Sequence, residues 1–119
     1  MKREVITIES NIVHIPQSAD VWMTQLEITD LFGCFVSKVN SNIRSILKSG
    51  VLHESDVCRM YHYQNGNFVE QYNLEMIIAL SFRIQSRNAE VFRKWLTRKL
   101  SKSEIPEMLV MGIKNPMLN

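Results

Sequence analysis

Ser37, Lys38, Ser41, Arg44, Ser45 and Lys48 recur at helical intervals between residues 36 and 48. That spacing gathers them on one side of a helix. Small hydroxyls can sit close to base edges, and Lys and Arg side chains can reach phosphate oxygens. Asn40 and Asn42 flank the set, and no acid interrupts it, so nothing on this face repels phosphate. The face reads either as a reader of double-stranded DNA or as an ordinary solvated helix face, and the chemistry it can do is the former. Ser37, Lys38, Ser41 and Ser45 would face the bases, and Arg44 and Lys48 the phosphates. Arg87, Lys94 and Arg98 form a second helically spaced basic set. It reads either as a second phosphate-contacting stripe or as a solvated basic face, and the solvated face is the simpler reading.

Other chemistry finds no support. The histidines, His14, His53 and His62, are scattered. Cys58 and His62 fall in a probable strand, where residues four apart share a face but stand roughly 13 Å from each other, too far to bind one metal. No feature lowers the pKa of either cysteine or sets a base beside it. The four glycines are isolated and build no phosphate loop. Asp30, Glu54 and Asp56 form no recognisable acid pair. No metal, cofactor, small-molecule substrate or catalytic activity is therefore expected. The seven methionines read as core filler, and Trp22 and Trp95 as core anchors.

The elements that must position the first set are legible around it. Thr24 can cap a helix, with Glu27 three residues on to close a capping box. Leu26, Ile28, Leu31 and Phe32 give that helix apolar contacts, and Gly33 follows where a positive φ ends helices. Val36, Val39, Ile43, Ile46 and Leu47 then fall on one arc of a second helix. A short helix, a glycine turn and a second helix make a helix-turn-helix across residues 21–50. Ahead of it, residues 1–20 carry two short strands around Ser10-Asn11, and Val21 to Met23 can extend as one more. A polar link through Glu54, Ser55 and Asp56 leads to a hairpin over residues 57–72. Asn65-Gly66 predicts a two-residue turn there, with Tyr63 facing Phe68 and Arg59 opposite Tyr72. The hairpin, with its polar tip of Gln64, Asn65 and Asn67, reads either as a DNA-touching wing or as a purely structural hairpin, and the structural hairpin is the simpler reading. Residues 73–101 read as two helices. Asn73 caps the first, Leu74 to Ile84, which is apolar nearly all round. The second runs from Asn88 to Leu100, with Ala89, Phe92, Trp95, Leu96 and Leu100 toward the core. Residues 102–119 form an apolar tail suited to packing or to association with a second copy.

Length and charge set bounds. At 119 residues with 45% hydrophobic content, one domain with a real core is expected. A net charge of +2 neither requires nor excludes nucleic acid. The distribution is more informative, since residues 83–102 hold seven basic side chains and one acid, Glu90. Two cysteines build no disulfide framework, which fits a reduced, cytoplasmic setting. No apolar run reaches membrane-spanning length, and MKREVITIES lacks a signal-peptide core.

Several segments together resemble the virulence-associated RhuM family of bacterial and phage-like proteins. They are VWMTQLEITDLFG at 21–33, VSKVNSNIRSIL at 36–47, GVLHESDVC at 50–58 and YNLEMIIALSFRIQSRNAEVFRKW at 72–95. The combination of V-W-x-T-Q, Y-N-L-[DE]-x-I-I and F-R-x-W carries the likeness. The resemblance implies a DNA-binding protein, a regulator associated with a mobile or virulence element, with no further mechanism attached. This chain departs from the family at the turn, where Phe35 stands in place of a small polar residue that would help cap the second helix. Relatives also run on beyond the F-R-x-W helix, and no activity housed there is expected of this chain.

The expectation is an α+β domain: short N-terminal strands, a helix-turn-helix, a wing-like β-hairpin and two packed helices. Its expected partners are double-stranded DNA and a second copy of the chain. The rival expectation is a protein-interaction module on the same scaffold, favoured by the mild net charge and the apolar tail.

Overall fold

The computed structural model describes residues 5–17 and 20–102. Ser10 (φ 51°) and Asn11 (φ 62°) both take left-handed backbone, as a two-residue hairpin loop requires. They join β1 (Thr7–Glu9) to β2 (Ile12–His14), with Glu9 opposite Ile12. The next strand, β3 (Trp22–Thr24), belongs to a second sheet and runs directly into α1 (Gln25–Phe32). Thr24 serves both elements. Its hydroxyl accepts from Glu27 N (3.2 Å), and Glu27 Oε1 accepts from Thr24 N (2.8 Å), which completes the capping box. Gly33 (φ 61°) closes α1 in the left-handed conformation, and its N–H returns to Thr29 O.

After Cys34 and Phe35 comes α2 (Val36–Ser49), ended by Gly50 at φ 82°. The segment expected as a polar link contains one short helical turn, α3 (Glu54–Val57), whose Val57 is fully buried. Burial of that valine gives the turn a tertiary anchor that its polar neighbours do not advertise. The hairpin follows as β4 (Cys58–His62) and β5 (Phe68–Asn73). Its loop differs from the expected two-residue turn. Gly66 (φ 92°) takes a positive φ and Asn65 does not. Tyr63 N donates to Asn67 O (2.8 Å) and Gly66 N to Tyr63 O (3.2 Å), closing a three-residue loop, Gln64-Asn65-Gly66. The added residue moves the register by one. His62 therefore faces Phe68, and Arg59 faces Gln71 instead of Tyr72. The shift has a compensation, because Arg59 Nε donates to Gln71 Oε1 (2.8 Å) and satisfies a side chain only 1% exposed.

Sheet order is β3-β5-β4, antiparallel throughout. Trp22, expected in the core, is half-buried on this sheet. Arg59 stacks over its ring at 4.4 Å, and its indole N–H donates to Asp20 Oδ1 (2.8 Å). Asn73 caps α4 (Leu74–Ser81) by accepting from Met76 N (3.2 Å). That helix ends three residues before its apolar run does. Arg93 Nη1 donates to the Ser81 and Ile84 carbonyls, so a charged partner holds the turn that stops it. Ser86 starts α5 (Arg87–Lys102) by accepting from Ala89 N (3.0 Å).

The core lies where α1 and α4 pack on the three-stranded sheet and α2 and α5 pack against those two helices. Phe32 and Phe92 meet edge to face there (5.7 Å), among Met23, Ile28, Val39, Ile43, Met76 and Leu80. Asn88 Nδ2 reaches Leu31 O (2.9 Å) and ties α5 to the end of α1. Leu100, expected on the core side of α5, is exposed. The described residues thus form an α+β fold of five helices and two small antiparallel sheets. No helix among them is long and apolar enough to cross a membrane. The apolar tail from residue 103 onward lies outside the described residues.

Candidate nucleic-acid interface

Val39, Ile43 and Ile46 are buried and fix which side of α2 turns inward. At about 100° per residue, Ser37, Ser41 and Lys48 then lie opposite them. Arg44 lies toward one edge of the exposed face, and Lys38 and Ser45 toward the other. All six are exposed. Some of their hydrogen-bonding capacity is already used within the helix. Ser41 Oγ donates to Lys38 O (3.3 Å), as does Asn42 Nδ2 (2.9 Å).

The N-terminus of α2 bears out the expectation raised by Phe35. This residue occupies the cap position with no side-chain bond to the helix, and it is 81% exposed. Its carbonyl accepts from Lys38 N and Val39 N. The first turn thus opens toward solvent without a competing side-chain oxygen.

Arg83 joins this face from the α4–α5 turn. Its Nη1 donates to Ser45 Oγ (3.0 Å), across 38 positions of sequence. A groove of about 560 Å³ separates Gly33, Cys34, Phe35 and Lys38 from Arg83, Ile84, Gln85 and Ser86. In the sequence Arg83 belongs only to a basic segment, with no sign of a place at this site. No local pattern could give one, because the contact depends on how α4 docks on α2. Ser45 differs as well. It was expected to face bases, and it sits at the edge, bonded to Arg83.

Arg87, Lys94 and Arg98 do line one side of α5, together with Asn11, Glu90 and Val91. Arg87 Nε donates to Asn11 Oδ1 (3.3 Å) on the β1–β2 turn, and Lys94 pairs with Glu90 (3.4 Å). The stripe therefore contains an acid. At the hairpin, Gln64, Asn65 and Asn67 are exposed, as are Tyr61 and Tyr63, whose rings meet edge to face (5.3 Å).

A separate cluster forms at the base of the hairpin. Donor atoms of Glu54, Cys58 and Glu70 all lie within 4.8 Å of one another. Cys58 Sγ meets Glu70 Oε2 (3.7 Å), and Tyr72 O–H donates to Glu70 Oε1 (3.3 Å). Burial, then Glu70 and Glu54, push the Cys58 thiol up to about 11. Burial and Glu70 raise the Tyr72 phenol as well. A protonated thiol is a poor nucleophile near neutral pH. His62, the partner weighed for Cys58 from the sequence, instead packs on Phe68 (5.7 Å). Glu70 reaches Cys58 only through the hairpin pairing, so this grouping was not visible in the sequence.

Comparison with protein-family models, with curated proteins and with solved structures finds no match.

Proposed function

We propose that this chain is a DNA-binding protein of the winged helix-turn-helix type, related to the RhuM family and regulatory in role. In this reading α1 and α2 are the helix pair, and α2 enters the major groove. The observation that carries it is the exposed face of α2. It has no acid, Ser37 and Ser41 lie at its centre with Lys48 at its C-terminal end, and further basic side chains stand toward both edges. A major groove about 12 Å wide accepts a helix, with a phosphate backbone on either side. Ser37 and Ser41 at the centre, Lys48 at the C-terminal end, Arg44 toward one edge and Lys38 toward the other match that layout.

Three further features support the reading. The α1–α2 connection is three residues long and begins at a left-handed glycine. The hairpin follows α2 and shares a sheet with the strand before α1, in the order β3-β5-β4. In this reading the hairpin is the wing of the helix pair. The family resemblance rests on the residues quoted above, with Phe35 as the departure. A twofold pair of chains would double the contacts and set the spacing of half-sites.

The test is fluorescence anisotropy of a labelled 30-base-pair random duplex, titrated with salt. Expected is non-specific binding in the range of roughly 10⁻⁴ to 10⁻⁶ M that weakens steeply as salt rises. K38E or R44E should weaken it and flatten its salt slope. Full binding by both variants would show that α2 is misassigned. The second reading, a protein-interaction module, draws on the exposed Phe35, Val51, Phe68 and Phe82. Absence of duplex binding even at low salt would favour it.

A further inference from the structure

The basic segment of residues 83–102 does not act as one surface. Arg93 turns inward to the Ser81 and Ile84 carbonyls. Arg87 reaches the β1–β2 turn, and Lys94 pairs with Glu90. Arg83 alone among these four extends to α2, where Ser45 Oγ accepts from it.

The backbone that presents Arg83 is fixed from several directions. Arg83 N and Ile84 N both donate to Leu80 O (3.0 Å each). Ile84 is 1% exposed, and Arg93 holds its carbonyl. The guanidinium itself is on the surface, and the bond to Ser45 uses one of its five N–H donors. The acceptor is a neutral hydroxyl, so the positive charge stays uncompensated by this contact. Ser45 and Lys38 share one edge of α2, and Lys38 and Arg83 line the same groove. Two cations thus stand on that edge and one, Arg44, on the other.

We infer that Arg83 is a DNA-contacting residue: its guanidinium binds a backbone phosphodiester at the Lys38 edge of α2, and Ser45 holds it in position. This rests on the DNA-binding reading above and adds a residue from outside the helix pair. The α4–α5 turn becomes a second wall of the interface, built to grip the strand that runs along that edge. A fixed turn and an oriented guanidinium reduce the ordering cost of binding.

The duplex titration tests this with four variants. R83Q should weaken binding several-fold at low salt, alike across duplex sequences, and reduce the salt slope by about 1. R83K keeps the charge and should keep the slope. S45A removes the positioning hydroxyl but leaves the charge, so its slope should stay at the wild-type value. K102Q removes a basic residue of the same segment away from α2 and should change neither quantity. Wild-type affinity and slope in R83Q would overturn the inference while leaving the DNA-binding reading intact. An S45A loss of slope equal to that of R83Q would also overturn it, since Arg83 would then act only by holding α2. Wild-type protein without salt-dependent binding would remove the DNA-binding reading and this inference with it.

Discussion

At the scale of single residues, Cys58 shows how position decides chemistry. Its thiol lies between two carboxylates and is partly buried, and its pKa rises from 9.0 to about 11. The Tyr72 phenol is raised above 10.0 for the same reasons. Both groups are neutral when protonated, so the folded chain holds their protons more tightly than the unfolded chain does. Their contribution to stability is whole below about pH 9, where both states are protonated at Cys58. It is lost as pH rises through about 11, because the unfolded chain ionises first. E70Q removes the nearest carboxylate and its hydrogen bonds. In a C34S background it should speed thiol labelling of Cys58 several-fold at pH 9. An unchanged rate would mean that burial alone sets the thiol. The sequence could weigh Cys58 only against His62, its neighbour by spacing. The partners that matter arrive from α3 and β5, and Glu70 depends on a hairpin register that Asn65-Gly66 misreports by one residue.

At the scale of elements, local signals worked where a side-chain cap or a left-handed residue sets the boundary. Thr24 with Glu27, Gly33, Ser10-Asn11 and Asn73 each marked a boundary that the chain uses. They failed where a tertiary contact decides, as at the end of α4, where Arg93 holds the carbonyls that an apolar run alone would have carried onward. The N-terminus of α2 is the informative case. Phe35 leaves it without a side-chain cap, and its ring is largely in solvent. F35S should supply the missing acceptor at little packing cost. The expected gain is about 1 kcal/mol, and a Tm higher by roughly 4 °C. A lower Tm in thermal unfolding would show that the exposed ring has a structural contact worth more than a cap. Duplex titration of the same variant separates stability from recognition, since a gain in Tm with a loss of binding would assign Phe35 to the interface.

At the scale of the whole molecule, charge is sorted by the fold in a way that composition conceals. A +2 chain carries basic side chains on two helices, and the α4–α5 turn joins one of them, Arg83, to the exposed face of α2. Helical spacing alone could find Lys38, Arg44 and the α5 stripe separately. It could not say which of them Arg83 would accompany, because that follows from the packing of α4 between α2 and α5. The two basic faces also begin from different electrostatic states. Lys94 is paired with the Glu90 carboxylate, whereas Arg83 on the α2 face, like Arg87 at Asn11, meets only a neutral oxygen. A phosphate binding at the stripe must compete with a carboxylate, and exposed charge pairs are in turn weakened by salt. Replacing Lys38, Arg44 and Arg83 together by Gln should therefore lower the salt slope of duplex binding by roughly 3. The same replacement of Arg87, Lys94 and Arg98 should lower it by about 1 or less. Equal losses from the two triple variants would mean that the duplex is gripped by both faces, and that α2 is one contact among several instead of the centre of the interface.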